Sequence, residues 1–472
     1  MKKRILTILV LCLVTMMSFV GCDKIKLKEN PATNAPITSN GGLVTQKGDY
    51  LYFTNGYIST SSLSNGDNKY NKVTYAGLYR AKTTNGNLNY DVTTNDKDEE
   101  VKTLKDVELV VPKIVSSNNA GFYIFDDYIY YASPTTEKDK TGKSRFDLVT
   151  FFVCNIDGSK TKKLYAVDKY SDSAKFNMIK VDDTVYMEIY DGTTLTVVSV
   201  KGNKVKEEKV VAEKSTISNV VLPQVETYNK DNNTIRENDT YVYYTRDVLE
   251  SENYASGNVL CRTSVKDGKE EILFADGSST ITLKDVKADT LYFTVKDKAQ
   301  IMEEFIVRAV SINKIKSYSI SDNKILCVNA DNVYAINSDH YVGLVYTLDK
   351  KLYQVTENGN PNLIYDEEFT VLTLNGDYVY GYNSSKQIVM INVIDLSEEA
   401  KVLTSSDVSI YFDAKTNIDI CGSFVYFFNS YTGDSETGYY LNRVQVNSEK
   451  ISSELLGIID SKYIKTKTES ED

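Results

Sequence analysis

A short strand-like stretch that ends in tyrosine occurs eight times in this 472-residue chain. In every copy a Leu, Ile or Val precedes the tyrosine, and in nearly every copy a polar turn of Asp, Asn or Gly lies just upstream. The repeated tyrosines are Tyr52, Tyr130, Tyr186, Tyr243, Tyr292, Tyr334, Tyr380 and Tyr426. They are 78, 56, 57, 49, 42, 46 and 46 residues apart. Periods of this size, each holding several short strands, indicate a repeat architecture.

Each repeat shows the same order of predicted strands. In the second copy an apolar segment at 122–125 is followed by a tight turn, the Tyr130 strand, a third strand at 153–155 and a fourth at 162–165. Four antiparallel strands per unit, repeated radially, are typical of a β-propeller. We therefore predict an all-β protein with a propeller of eight four-stranded blades over residues 41–458. Seven blades remain the alternative, because the 78-residue first period would allow blade 1 to pack irregularly.

The repeated tyrosines are expected to pack between blades. The inner strands of a blade lie between neighbouring blades, where a Tyr buries roughly 150–250 Å² while its hydroxyl reaches a partner at the blade edge. The alternative is a ring of eight tyrosines that faces a ligand. We predict packing, since second-strand residues in one register are ordinarily core residues.

Three copies of the repeat resemble a known motif. The stretches at 52–55 (YFTN), 243–246 (YYTR) and 292–295 (YFTV) are similar to the YWTD motif of low-density-lipoprotein-receptor-like propellers. The chain also resembles the DUF5050-type bacterial propellers, in which a turn and Ile-Tyr-Tyr precede Leu-Tyr-Arg. This resemblance covers about residues 42–458 and implies a propeller fold in a secreted or lipid-anchored protein of a Gram-positive-type bacterium. It implies no shared catalytic or binding residues.

The first residues have the layout of an export signal. Lys2, Lys3 and Arg4 precede an apolar run that is too short for a comfortable membrane-spanning helix. The run ends in Ser-Phe-Val-Gly-Cys at 18–22, which resembles the lipobox of bacterial lipoproteins. We expect residues 1–21 to be a cleaved lipoprotein signal peptide and Cys22 to carry lipid, with an ordinary signal peptide as the alternative.

Polar segments lie directly after the predicted signal peptide and at the C-terminal end of the sequence. Residues 22–40 contain two prolines and predict a flexible tether. Residues 459–472 predict a charged C-terminal tail. The lipid would place the protein outside the cytoplasm, anchored to the cell membrane.

The composition excludes several kinds of site. A formal net charge of −11 argues against a nucleic-acid partner, because phosphate contacts need clustered Lys and Arg. The chain has one histidine, His340, and no Gly-rich phosphate loop. We therefore predict no catalytic, cofactor-binding or metal-binding residues. The cysteines at 154, 261, 327 and 421 are expected to be small buried hydrophobes, with a disulfide between Cys327 and Cys421 as the alternative.

Unequal loop lengths point to one face of the ring. The connections between second and third strands, and those between blades, share one face, which we call the long-loop face. The turns on the opposite face are mostly short, and we call it the short-turn face. Long segments on the long-loop face are expected at 54–76, 132–148, 245–258, 338–349 and 428–440, with a long blade-to-blade segment at 91–117. Binding surfaces are commonly built from loops on a rigid scaffold, although loop tips also tolerate neutral insertions.

Tyrosines in these loops could anchor a partner. They are Tyr57, Tyr70, Tyr75, Tyr254, Tyr431, Tyr439 and Tyr440. Our hypothesis is a lipid-anchored binding or scaffold module that engages a protein at the cell envelope. The alternative is a glycan-binding protein or a carbohydrate-active enzyme, which would need two carboxylates about 5–10 Å apart on the long-loop face.

Overall fold

The structure is a computed structural model of the chain. It describes residues 27, 29–58, 74–75, 77–94, 100–112, 115–116, 121–134, 140–142, 148–167, 173–212, 217–222, 235–252, 257–275, 279–287, 289–297, 307–317, 330–337, 342–355, 361–406, 408–410, 418–432, 437–449, 451 and 453–457.

The described chain is built from short strands. The strands of the first part are β1 (Ile37–Thr38), β2 (Val44–Lys47), β3 (Tyr50–Thr54), β4 (Gly56–Ile58), β5 (Thr74–Tyr75), β6 (Leu78–Thr84), β7 (Asn87–Leu88), β8 (Tyr90–Thr94), β9 (Glu100–Leu104), β10 (Val107–Val111), β11 (Val115–Ser116), β12 (Phe122–Phe125), β13 (Tyr128–Pro134), β14 (Val149–Asn155), β15 (Lys162–Ala166), β16 (Lys175–Val181), β17 (Thr184–Tyr190), β18 (Leu195–Lys201) and β19 (Lys204–Ala212).

The second part continues in the same way. Its strands are β20 (Ser218–Val221), β21 (Tyr241–Asp247), β22 (Asn258–Ser264), β23 (Glu270–Ala275), β24 (Ser279–Lys287), β25 (Thr290–Asp297), β26 (Val307–Ser311), β27 (Asn332–Asn337), β28 (Val342–Leu348), β29 (Lys351–Val355), β30 (Pro361–Tyr365), β31 (Phe369–Asn375), β32 (Tyr378–Asn383), β33 (Ile388–Asn392), β34 (Lys401–Val402), β35 (Asp419–Cys421), β36 (Phe424–Thr432), β37 (Thr437–Gln445) and β38 (Ser453–Leu455). Among the described residues, two short 3-10 helices lie at Glu237–Thr240 and Ile312–Ser317.

These strands form eight blades in a propeller ring, as the repeats predict. Most blades have four antiparallel strands that are consecutive or nearly so in the chain. The blades comprise β2-β3-β6-β10, β12 to β15, β16 to β19, β20 to β23, β24 to β26, β27 to β30, β31 to β34 and β35 to β38. The alternative of seven blades is therefore wrong, because blade 1 forms its own four-stranded set.

The core is divided among the interfaces between blades. Seven clusters of buried apolar residues each span neighbouring blades, and the largest joins blades 1, 2 and 8. In that cluster Tyr52 of blade 1 packs with Tyr131 of blade 2 and Tyr426 of blade 8. The hydrophobic contacts therefore continue around the whole ring and across its seam.

Tight turns on the short-turn face set the register of the first two strands in several blades, among them blades 2, 3 and 7. Asp126 and Asp182 have φ values of 51° and 55°, and Gly376 has 57°. Two-residue hairpin turns require such positive φ values, which Asp and Gly tolerate better than most residues. The Asp and Gly turn residues noted in the sequence therefore lie where this backbone geometry is needed.

Seven of the eight repeated tyrosines lie on the second strand of a blade. Six are at most 4% exposed, namely Tyr52, Tyr130, Tyr243, Tyr292, Tyr380 and Tyr426, and Tyr186 is half-buried. The hydroxyl of Tyr52 donates to the backbone oxygen of Ile156 at 3.3 Å, and that of Tyr130 donates to Gly202 at 2.7 Å. Both hydroxyls thus reach the next blade, which is the packing role predicted for this column.

Tyr334 is the exception. It lies on β27, the first strand of blade 6, and is half-buried. Tyr346 on β28 holds the second-strand position and is 3% exposed. The repeat pattern falls on Tyr334 because Asp-Asn-Val-Tyr at 331–334 has the turn-and-strand sequence of the other copies, whereas Gly-Leu-Val-Tyr at 343–346 has no Asp or Asn directly before its strand.

Two of the expected long loops are instead built of strands. Most of 338–349 is β28, so the connection from second to third strand in blade 6 is a two-residue turn at Asp349 and Lys350. The end of the segment 91–117, which follows β10 and includes β11, is part of the connection from blade 1 to blade 2. Its larger part is not: β8 and β9 form a hairpin between the third and fourth strands of blade 1. That insertion therefore belongs to the short-turn face.

Residues 29–40, which the sequence predicts as part of a tether, contact the ring. β1 pairs with β2 and adds a short strand to the inner edge of blade 1. The Asn40 side chain then makes two hydrogen bonds with the backbone of Ile124 in blade 2, at 2.8 and 3.0 Å. The N-terminal segment therefore joins blade 1 to blade 2. Residues 22–26 and the tail at 459–472 lie outside the described residues.

Candidate functional site: a raised sheet at the ring seam

The two longest strands of blade 8 have long ends on the long-loop face. β36 continues six residues past Tyr426, whereas β3 ends two residues past Tyr52. β37 has nine residues as well and pairs with β36 along its full length, to Thr432 opposite Thr437. The predicted loop at 428–440 is thus mainly two paired strands at the seam between blades 1 and 8.

Strands from other parts of the chain join this hairpin. β4, which follows β3 of blade 1, pairs with β37; β5 pairs with β4; and β11 pairs with β5. We call the resulting surface the raised sheet, which consists of residues 56–58, 74–75, 115–116, 428–432 and 437–440. It unites two of the segments predicted as long loops, 54–76 and 428–440.

The register of the raised sheet aligns three tyrosines. Tyr57 lies directly opposite Tyr439 on one side and Tyr75 on the other. The pairing places the three tyrosine positions side by side across β5, β4 and β37. The side chain of Tyr439 is half-buried against the core cluster that joins blades 1, 2 and 8. Of the tyrosines singled out in the sequence, these three are therefore brought together by tertiary structure.

Close backbone approach makes Gly56 necessary in this sheet. Gly56 pairs with Tyr440, and a Cβ atom at position 56 would lie 2.4 Å from the backbone oxygen of Tyr439. Next to this pair, the backbone N–H of Leu441 donates to the backbone oxygen of Asn55 at 3.2 Å. Any larger residue at 56 would push β4 away from β37.

A buried carboxyl that the sequence did not single out lies between strands of blade 3. Glu188 on β17 is fully buried, and the amide of Asn177 donates to its Oε2 at 2.8 Å. The hydroxyl of Tyr123 in blade 2 donates to Asn177 Oδ1 at 3.2 Å. Burial, with a smaller contribution from the charge of Asp239, raises the pKa of Glu188 to about 8. No periodic pattern marks this residue, since it occupies an ordinary strand position.

A carboxyl with such a pKa has the proton affinity of a general acid. Hydrolysis of a glycosidic bond needs a second carboxyl on the other side of the bond. Among the described residues, no cluster of three or more His, Cys, Asp and Glu side chains is arranged to hold a metal ion. Glu188 is part of a buried hydrogen-bond network with Asn177 and Tyr123.

The cysteines behave as the sequence predicts where they are described. Cys154, Cys261 and Cys421 are free and at most 2% exposed. The alternative disulfide between Cys327 and Cys421 stays a prediction, because Cys327 lies outside the described residues. Cys327 itself, Cys22, His340, Tyr70 and Tyr254 lie outside the described residues. No helix in the described part of the chain is long and apolar enough to cross a membrane.

The fold and the raised sheet together define an eight-bladed β-propeller with an auxiliary aromatic sheet at its seam. No protein-family model matches the chain. No curated protein matches it either.

Several solved structures are similar to it in fold. An oligogalacturonate lyase from Vibrio parahaemolyticus has a TM-score of 0.42 and 11% identity, over 77% of this chain and 98% of that one. The β-propeller domain of the Trilobed protease from Pyrococcus furiosus has a TM-score of 0.37 and 11% identity, over 79% of this chain and 97% of that one. A puromycin hydrolase has a TM-score of 0.42 and 9% identity, over 73% of this chain and 54% of that one. We transfer no activity, substrate or residue from these proteins.

Proposed function

We propose that this protein is an extracytoplasmic, lipid-anchored binding module that holds a protein partner at the cell envelope. The observation that carries the proposal is the raised sheet, in which the register aligns Tyr57, Tyr75 and Tyr439. The lipobox-like sequence that ends at Cys22 supports the anchor and the location. A DUF5050-type resemblance in the repeats supports the same assignment.

The raised sheet has the physical properties of a binding surface. Its strands are held by backbone pairing to two blades of a closed ring, so it loses little conformational entropy when a partner binds. Tyrosine combines a large apolar area with a hydroxyl, and a few such residues often dominate the affinity of an interface. Three aligned tyrosine positions on paired strands, with Tyr439 half-buried against the core cluster, therefore favour a partner with an apolar surface.

The substitution Gly56→Ala tests the surface without altering a tyrosine. We expect the Cβ at position 56 to separate β4 from β37 and to weaken partner capture from envelope extract at least tenfold. Ser384→Val is the matched control, because Ser384 is an exposed residue of a short turn on the same face in blade 7. Both variants should retain the far-ultraviolet circular dichroism spectrum of the wild type.

Capture that is equally tight in both variants would show that the raised sheet is not the binding surface. If the wild type instead binds or cleaves a polysaccharide in a Gly56-dependent way, the glycan alternative replaces the protein partner. The anchor is tested separately: Cys22→Ala should abolish incorporation of labelled fatty acid and release the protein from the membrane fraction. Persistent labelling of that variant would refute lipidation at Cys22.

A further inference from the structure

The N-terminal segment is fastened to the short-turn face before it enters the ring. Thr33 donates its hydroxyl proton to Asp127 Oδ2 at 2.7 Å, and its backbone oxygen accepts from Lys47 Nζ at 2.7 Å. The backbone oxygen of Pro36 accepts from Gly48 at 3.0 Å. Lys47, Gly48 and Asp127 are all at turns between first and second strands, so this part of the segment crosses the short-turn face.

The residues nearer the N-terminus are held by the same face of blade 1. The backbone N–H of Leu27 donates to Glu108 Oε2 at 3.3 Å, and Asn30 Oδ1 accepts from Arg80 Nη1 at 2.7 Å. Arg80 and Glu108 are themselves buried and form an ion pair at 2.7 Å. The hydroxyl of Tyr50 also donates to the backbone oxygen of Glu29 at 2.8 Å. Charge-assisted bonds to a buried pair are strong ones, so Leu27 is a fixed exit point.

The chain between this exit and the proposed lipid is short. Cys22 precedes Leu27 by five residues, which span at most roughly 18 Å when fully extended. The seven residues of β17, Thr184–Tyr190, run from one face of the ring to the other and cover about 23 Å at the usual strand rise. A lipid on Cys22 therefore cannot let the long-loop face approach the membrane unless the segment leaves its contacts.

We propose that the short-turn face is a membrane-facing surface, and that the raised sheet consequently points away from the lipid toward the cell exterior. This inference rests on the proposed anchoring at Cys22. The partner of the short-turn face is a lipid headgroup surface, and the contact is set by chain length rather than by charge. Two lysines on this face are paired with carboxylates, Lys180 with Asp126 at 2.6 Å and Lys201 with Asp183, and Lys47 donates to the backbone oxygen of Thr33.

The test uses the mature chain, residues 22–472, coupled through Cys22 to maleimide lipid in neutral phosphatidylcholine vesicles, with Cys327 replaced by Ser. A fluorescent donor is attached through an azido amino acid at Asp49 on the short-turn face or at Ser384 on the long-loop face, both exposed. Energy transfer to a headgroup-labelled acceptor lipid reports the distance of each donor from the membrane.

We expect the donor at 49 to lie about 20 Å closer to the acceptor plane than the donor at 384, at low and at high salt. Equal distances, or a closer donor at 384, would overturn the inference. A Gly–Ser spacer of about 20 residues inserted before Leu27 is the matched control, since it adds roughly 25 Å of reach and should remove the difference. Chemical coupling keeps this result separate from the cellular test of lipidation.

Discussion

The carboxylate of Asp419 in blade 8 accepts a hydrogen bond from the backbone N–H of Val44 in blade 1, with 3.0 Å between Oδ2 and N. The same oxygen accepts from Leu43 at 2.8 Å, and Oδ1 accepts from Ser39 at 3.2 Å and from Ile420 at 2.8 Å. None of the four strands of blade 1 belongs to blade 8, because each of these blades is built from its own end of the chain. One side chain therefore connects the first strands across the seam.

Asp419→Asn should weaken this seam. The amide replaces one acceptor oxygen with a donor that faces backbone N–H groups, so at least one of these groups loses its partner. We expect unfolding in urea to become easier by about 2–4 kcal/mol. Asp49→Asn, at an exposed turn of blade 1, is the control and should cost less than about 0.5 kcal/mol. Equal midpoints for the two variants would show that the carboxylate does not stabilise the seam.

Tyr346→Ala should destabilise the protein more than Tyr334→Ala. Tyr346 is 3% exposed on the central strand of blade 6, so its removal should cost about 3–5 kcal/mol. Tyr334 is half-buried on the first strand, and we expect about half of that cost. Urea unfolding of both variants measures the difference. A larger effect at Tyr334 would restore the assignment made from the repeat pattern alone.

Glu188 should make stability depend on pH. Its pKa is raised from 4.5 to about 8 in the folded protein, so the native state holds a proton that the unfolded state releases. The contribution of Glu188 to the free energy of unfolding is complete below about pH 4.5. It is lost as the pH rises toward 8, by at most about 1.4 kcal/mol per pH unit.

Glu188→Gln keeps the hydrogen-bonding shape and carries no charge. We therefore expect urea midpoints measured from pH 5 to pH 8 to decline less in this variant than in the wild type. Identical pH profiles for the two proteins would mean that Glu188 is ionised in the fold, contrary to the effect of its burial.

Arg308→Met should be tolerated or mildly stabilising. Arg308 is 7% exposed, and within the described part of the structure its Nε and Nη1 have no hydrogen-bond partner. Burying such donors is costly, so we expect a change between zero and about 2 kcal/mol in favour of folding.

Arg80→Met is the matched comparison, since Arg80 is also buried, at 1% exposed, but pairs with Glu108. Its removal should cost about 3–5 kcal/mol, because an uncompensated buried carboxylate remains. Thermal or urea unfolding of the two variants, measured side by side, distinguishes them. A strongly destabilised Arg308→Met protein would indicate that its guanidinium has a partner.

The blades were predictable because their determinants are local. An apolar residue before each tyrosine, a turn residue that accepts positive φ and a period of 42 to 78 residues are all visible in the sequence. The same local signals explain the one misplaced tyrosine. Asp331 and Asn332 imitate a hairpin turn before Tyr334, whereas the true central strand at Tyr346 has no such signal.

The candidate site was predictable only as separate pieces. Tyr57, Tyr75 and Tyr439 were each visible as loop tyrosines, but their alignment depends on strand pairing between residues almost 400 positions apart. Asp419 likewise gains its role only because the ring brings it to Leu43 and Val44. Alternation and turn residues act within a few positions of the chain, so they specify strands and blades. Ring closure specifies which ends of the chain meet. It therefore decides where the raised sheet forms, and it brings the carboxylate of Asp419 in blade 8 to blade 1.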